Sequence, residues 1–199
     1  MKERPTLDET LDALVAVLRE VRASSGRSRS ELVARTGLAR GAVAQRVSEL
    51  IDLGLVTETD VGPSTGGRPP RRIAFRGDAG HILVADIGAT SIDVAVTDLE
   101  GRILGHRHQP ADVAAGPDAC LAAVDERFAE LVRETHGIPG DLWGIGIGLP
   151  GPVEFRTGRP VSPPIMPGWD GYPVRERFTD RYAAPVWVDN DVNIMALGE

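Results

Sequence analysis

Apolar residues change their spacing along the chain, and each change predicts a new element. From Leu7, the residues Leu11, Leu14, Val15, Leu18 and Val21 recur every three or four positions, the period of an amphipathic helix. Ser24-Ser25-Gly26 stops that run. Ser28 then stands three residues before Glu31, the pattern in which each side chain satisfies a backbone N–H left open at a helix start. The spacing predicts a short helix with Leu32 and Val33 inward, ending at Gly37. A third helix is predicted over 40–53, with Val43, Val47, Leu50 and Ile51 inward. Gly54 sits where a helix end favours a residue free to take positive φ. Residues 55–58 and 72–75 read as two strands around a basic hairpin, 62–71. Two helices joined by a glycine-containing turn and followed by a hairpin make a winged helix-turn-helix.

A different pattern begins after Gly77-Asp78-Ala79-Gly80. Residues 81–86 form an apolar strand, 92–98 alternate as a half-buried antiparallel strand does, and Glu100-Gly101 turns into a third strand over 102–108. A helix is predicted over 118–136 with Leu121, Val124, Phe128, Leu131 and Val132 on one face. Strand 142–148, an irregular stretch over 150–173 rich in Pro and Gly, helix 174–182, strand 185–188 and a final helix complete the order. That β-β-β-α-β-α-β-α order is one lobe of a ribonuclease-H-like fold. The expected fold class is therefore α+β in two domains: a winged helix-turn-helix over 1–76, a linker at 77–80, and a lobe over 81–199. No internal repeat or low-complexity tract interrupts it.

Composition narrows the classes. With 199 residues and 42% hydrophobic content, a packed core is expected. No apolar run approaches the roughly 20 residues that span a bilayer, so no membrane partner is expected. The first five residues carry no apolar signal core, and a cytoplasmic protein is expected. The lone Cys120 excludes an internal disulfide and a cysteine-cluster metal site within this chain. Residues 1–76 hold 13 Lys and Arg against 10 Asp and Glu, a balance of +3; the remainder holds 9 against 19, a balance of −10. A mildly basic head on an acidic body fits nucleic-acid contact confined to the head.

Two groups of residues carry candidate chemistry. At the start of the third helix, Arg40, Gly41, Ala42, Gln45 and Arg46 are the residues expected to be exposed to a major groove. Arginine donates to guanine edges or phosphate, and glutamine pairs bidentately with adenine. Gly41 costs the helix about 1 kcal/mol relative to alanine, which close approach of a phosphate or base would explain, as would plain tolerance in a first turn. Arg68, between Gly67 and Pro69, suits a narrow minor groove, or is an ordinary linker arginine. A small three-helix interaction domain is the bland alternative for the head.

In the second part, Asp86, Gly88 and Thr90 form a strand-loop able to cradle a phosphate through backbone N–H groups. At the other end, Asn190 and Asp191 follow a strand and open a helix. There they either bind hydroxyls, with Asp191 as a base, or simply cap the helix. Trp169 either stacks on a sugar or anchors its loop. Trp143 and Trp187 are expected in the core, and His106 and His108, lacking a third ligand, are expected to be solvated.

The chain resembles the N-terminal part of transcriptional regulators of the ROK family, which comprises repressors, uncharacterised frames and sugar kinases and includes xylose repressors. The matching segments are the helix-turn-helix, the hinge 64–70, the loop 86–90, the run Gly144-Ile145-Gly146-Ile147-Gly148-Leu149-Pro150-Gly151-Pro152-Val153, and Val188-Asp189-Asn190-Asp191-Val192-Asn193. The resemblance implies an actin/hexokinase-type effector domain that binds a sugar between two lobes. It matches Asn190 to a sugar-binding Asn, Asp191 to a catalytic Asp, and Asp86, Gly88 and Thr90 to a first phosphate loop. Ala89 departs from the kinase pattern of Gly-Gly-Thr by a methyl group. A second phosphate loop, a zinc site and further sugar contacts are implied downstream of residue 199, so the sequence reads as truncated after one lobe. No cofactor is expected within this chain, zinc being implied only for the downstream part. The resulting expectation is a non-enzymatic, sugar-responsive repressor, homodimeric, with operator DNA and a sugar or sugar phosphate as partners. An ATP-dependent sugar kinase with an appended head is the alternative, and a DNA-binding protein with no effector is a third class.

Overall fold

Helix α1 (Leu7–Arg22) runs over the stretch that the apolar spacing marks out, with Leu14, Val15 and Leu18 half-buried on the expected face, which Val17 joins and Leu11 does not. Val17 and Val21 are fully buried, while Leu11 is exposed. The computed structural model describes residues 7–59, 71–135 and 141–198, and the chain divides into two units, 1–79 and 80–199. In the first unit, β1 (Arg27–Ser28) leads into α2 (Arg29–Thr36). The Ser28 hydroxyl accepts from the Glu31 N–H at 3.3 Å, and Glu31 Oε2 accepts from the Ser28 N–H at 2.7 Å. These hydrogen bonds from Ser28 hold the Glu31 carboxyl below its usual range. Gly37 ends α2 with φ 70°, a left-handed conformation that a side chain would strain.

Helix α3 (Arg40–Asp52) follows, then β2 (Val56–Thr59) and β3 (Arg72–Phe75). The three short strands order as β1-β3-β2, all antiparallel. Leu32, Val43, Val47, Leu50, Val56 and Ile73 close the core, each worth about 1.5–3 kcal/mol on burial. Ile51 and Val33 do not join it: Ile51 is exposed and Val33 half-buried. Each stands one position, and so about 100° of helix, beyond a fully buried leucine.

The second unit is a five-stranded sheet in the order β10-β7-β4-β5-β6. Its strands are β4 (Gly80–Ile87), β5 (Ser91–Asp98), β6 (Ile103–Pro110), β7 (Asp141–Leu149) and β10 (Val186–Asn190). β4 to β6 are antiparallel neighbours, and β4, β7 and β10 run parallel. Helices α4 (Pro117–Glu134) and α5 (Val174–Tyr182) share one core with the sheet, and α6 (Asp191–Gly198) follows β10 directly. The Phe128 and Phe178 rings meet edge to face at 6.1 Å, joining the two helices above Leu83, Ile145 and Val188. Val132 stays exposed, and residue 136, the expected end of α4, lies outside the described residues.

Asp125 is buried beside Arg177 and Arg181, each at 3.4 Å, and accepts from the Tyr182 hydroxyl at 3.3 Å. Burial, with the nearby Asp125 charge, pushes that phenol up to about 12. The stretch over 150–173 contains a small hairpin, β8 (Val153–Glu154) with β9 (Arg159–Pro160). Trp169 anchors it from full burial, its Nε1 donating to the Val113 carbonyl at 3.1 Å.

Trp143 and Trp187 correct the expectation of core tryptophans. They are 43% and 52% exposed. Each lies over a glycine: a Cβ on Gly80 would come within 2.2 Å of the Trp143 ring, and one on Gly144 within 2.7 Å of Trp187. Strand membership alone does not bury a side chain, since α4 and α5 cover only the core side of the sheet.

Candidate nucleic-acid interface and sugar pocket

The first candidate site is the start of α3. Arg40, Gly41 and Gln45 are exposed and Ala42 is half-buried. Arg40 has no partner among the described residues, and Gln45 Nε2 donates to Glu49 Oε1 at 3.2 Å along the same helix. A Cβ on Gly41 would meet nothing within 4 Å. Ala39 stands at the cap position with no side-chain hydrogen bond, and the first turn has no acidic residue. Among the described residues, no side chain caps the backbone N–H groups of that turn or the positive end of its helix dipole.

Arg46 is a correction. It is only 6% exposed, with Nη1 3.4 Å from the Thr10 carbonyl and 3.0 Å from Glu49 Oε2. It fastens α3 to α1, and the exposure expected of it is not found. The signal was available: 43, 46, 47 and 50 share one helical face, so the apolar stripe itself passes through position 46. Arg68 lies outside the described residues.

The second candidate site lies in the other unit. Asp86 and Asp191 line one open hollow of about 250 Å³ with Val84, Asp93, Gly146 and Ile194. Gly148 makes room for it: a Cβ there would stand 3.1 Å from Asp86 Oδ1 and 3.7 Å from the Asp191 Cα. Burial by the hollow's walls, then the nearby charges of Asp191 and Asp93, raise the Asp86 carboxyl above its usual range.

Asn190 is engaged within the protein. Its Nδ2 donates to the carbonyls of Leu149 (3.3 Å) and Gly151 (3.2 Å) and to Asp191 Oδ1 (2.9 Å). Its Oδ1 accepts from the N–H groups of Val192 (3.1 Å) and Asn193 (3.3 Å), closing the start of α6. Asp191 Oδ1 also accepts from the Val192 N–H at 2.8 Å.

The loop after β4 is closed by backbone bonds. The Gly88 N–H donates to the Ser91 carbonyl at 2.8 Å, the Ala89 carbonyl accepts from Val113 at 3.2 Å, and the Thr90 carbonyl accepts from Ala111 at 3.0 Å. One of the N–H groups expected to cradle phosphate is thus already used.

His106 and His108 are not merely solvated. His106 Nε2 lies 2.9 Å from Asp93 Oδ1 and His108 Nδ1 3.0 Å from Asp93 Oδ2. Burial works to raise the Asp93 carboxyl, but hydrogen bonds from His108 and His106 outweigh it and hold the group below its usual range. Alternation on β5 and β6 places these residues in cross-strand register, Ala95 opposite His106 and Asp93 opposite His108, which the spacing alone did not reveal. Among the described residues, no group of three His, Cys, Asp or Glu side chains could hold a metal ion. No helix there is long and apolar enough to cross a membrane.

Family models match both parts of the chain. Residues 82–199 match the ROK family, and residues 12–57 match a family described as winged helix-turn-helix DNA-binding. The chain is 29% identical over 185 residues to the xylose repressor of Bacillus subtilis, covering 92% of this chain and 47% of that protein. It is 28% identical over 172 residues to the xylose repressor of Caldicellulosiruptor bescii, covering 86% and 43%. The crystal structure of a ROK family transcriptional regulator, a homolog of the E. coli MLC protein, superposes with a TM-score of 0.74 at 22% identity, covering 92% of this chain and 46% of that one. The chain spans a little under half the length of the curated relatives it matches.

Proposed function

The chain belongs to the ROK family, and from that premise we propose that it is the DNA-reading head and first effector lobe of a sugar-responsive transcriptional repressor. The observation that carries this reading is the start of α3. An exposed Arg40, a bare Gly41 and an uncapped first turn stand ready for an outside anion, on a head of the winged helix-turn-helix kind. Arg40 and Gln45 would address base edges, with Gly41 and Ala42 allowing close backbone approach. Arg68 would belong to the same interface if its segment enters a minor groove. A homodimer would set two such helices about 34 Å apart on a palindromic operator.

The effector is a sugar, and the naming of the two relatives as xylose repressors makes xylose the first to test. Its hydroxyls would meet the Asp191 carboxylate. Asn190, through its bonds to Leu149 and Gly151, would hold that carboxylate in place. Asp86, Gly88 and Thr90 line the neighbouring strand end and loop, where a sugar phosphate would place its anion. A coupling of about 1–3 kcal/mol between sugar and DNA would change operator affinity roughly 5- to 150-fold.

A binding role suits this site better than phosphoryl transfer. Gly88 has its N–H in an internal turn, and Ala89 adds a methyl beside the loop. The test is anisotropy of a labelled duplex from the gene's own upstream region, titrated with the protein with and without xylose. Tight binding relieved by sugar supports the reading. Sugar-dependent ADP release abolished by Asp191→Asn would replace it with the kinase reading. DNA binding indifferent to every sugar would leave a DNA-binding protein without an effector.

A further inference from the structure

The two segments assigned to the sugar, the loop 88–90 after β4 and the Asn190–Asp191 pair after β10, both lead back to one buried side chain. Residues 111–113 hold the loop: the Ala111 N–H donates to the Thr90 carbonyl at 3.0 Å, and the Val113 N–H to the Ala89 carbonyl at 3.2 Å. The carbonyl of the same Val113 accepts from Trp169 Nε1 at 3.1 Å and from the Gly116 N–H at 3.2 Å.

Trp169 also reaches the other segment. Its backbone N–H donates to the Met166 carbonyl at 3.2 Å. Met166 is buried, and it packs with Pro163 on Gly151. A Cβ on Gly151 would stand 3.0 Å from the Met166 Sδ and 2.9 Å from the Pro163 Cβ. The Gly151 carbonyl in turn accepts from Asn190 Nδ2 at 3.2 Å. The stretch is held in one shape. Ser162 sits at φ 44°, which a non-glycine residue rarely adopts, and its N–H donates to Asp170 Oδ1 at 2.7 Å.

A phenylalanine ring would fill much of the same space. A buried indole adds an N–H that must find an acceptor, so it favours one seating over others. Here the acceptor belongs to the residue that already holds Ala89. We propose that Trp169 is the positioning residue of the sugar site, seating residues 111–113 and 163–166 on each other and so setting the loop 88–90 relative to Asn190 and Asp191. Trp169 is fully buried, so it acts through these neighbours and not by contact with a sugar. The inference rests on the effector reading above.

The experiment is amide hydrogen exchange, read residue by residue by NMR, on the 199-residue chain. Four N–H groups report on the two segments: those of Ala111 and Val113, and those of Val192 and Asn193, which donate to Asn190 Oδ1. Ile145, whose N–H donates to the Pro185 carbonyl at 2.9 Å, reports on the sheet. Trp169→Phe is expected to speed exchange at all four reporters about five- to tenfold more than at Ile145, because a lost hydrogen bond loosens its own neighbourhood before the whole unit. Phe178→Leu, a core change where α4 meets α5, lowers the stability of the unit and should not single out the four. D-xylose, titrated in the same spectra, should bind Trp169→Phe about three- to tenfold more weakly than the wild type and bind Phe178→Leu as the wild type.

If Trp169→Phe does not fold, Tyr172→Phe, which removes the same loop's bond to Asp118, carries the same expectation at smaller size. Acceleration no greater at the four reporters than at Ile145 makes Trp169 a stabilising residue only and overturns the proposal. Acceleration at Ala111 and Val113 without Val192 and Asn193 overturns it as well, and so does equal xylose affinity in the wild type and Trp169→Phe. If xylose moves no resonance of the wild type, the effector reading fails by itself, and the exchange pattern still decides whether Trp169 seats both segments.

Discussion

Two helices in this protein begin with residues singled out for binding, and they begin in opposite ways. Among the described residues, α3 starts after Ala39 with no side-chain cap, no acid in its first turn and no partner for Arg40. α6 starts with Asn190 accepting from two of its N–H groups and Asp191 accepting from one of the same pair. The first end is open, and an outside anion can complete it. The second is already complete, so a ligand there meets the free face of a carboxylate and not backbone N–H groups. An uncapped helix start in a folded protein carries a cost of about 1 kcal/mol, which a bound phosphate would recover.

The comparison can be broken most strongly at Arg46, which looks like its neighbour Arg40 in sequence but joins α3 to α1. Arg46→Ala is expected to destabilise the first unit by about 2 kcal/mol, the cost of losing hydrogen bonds to a charged group. Arg40→Ala should leave stability unchanged and weaken DNA binding. Urea unfolding followed by circular dichroism, alongside anisotropy, separates the two; equal loss of stability would erase the distinction between them. Asn190→Ala should cost the second unit about 1–2 kcal/mol by opening the start of α6, with the midpoint of its melting as the readout.

The reverse change sharpens the contrast. Ala39→Ser supplies α3 with a cap and is expected to stabilise the head by about 1 kcal/mol while weakening DNA binding, since the hydroxyl now occupies an N–H that phosphate would use. Gains in both stability and affinity would show that the open end has no part in binding.

The smallest effect concerns Asp86. Its carboxyl titrates higher in the folded protein than the ordinary 3.8. Between that value and the raised one, the folded state holds more proton than the unfolded state, so stability falls as pH rises through the window. Asp86→Asn should therefore stabilise the second unit at neutral pH and make no difference well below pH 3.8. Melting temperatures of both proteins across pH check this, and a loss of stability at neutral pH would contradict it.

Much of the architecture was legible in the chain. The Ser28–Glu31 box, Gly37, Gly54 and the strands over 72–75 and 92–98 are local signals, each set by a residue's own backbone preference or by its nearest neighbours. The sites were legible in part. Asp86 on β4 and Asp191 after β10 line one hollow with β7 between them, while the Asp93, His106 and His108 group depends on a cross-strand register that spacing did not reveal. Arg46 was misread because charge was weighed before position on the helix. Trp143 and Trp187 were misread because a strand has two faces, and hydrophobicity does not say which one a helix covers.

By itself, the sequence determined the order of elements, their caps and turns, and the family to which the chain belongs, because those depend on interactions over a few residues. Only the tertiary structure decided which arginines face outward, that Glu58 gathers two of them, and that Gly148 leaves space for two carboxylates to share a hollow. Those outcomes depend on which distant elements come into contact, and burial, charge and hydrogen-bond partners are set by those contacts.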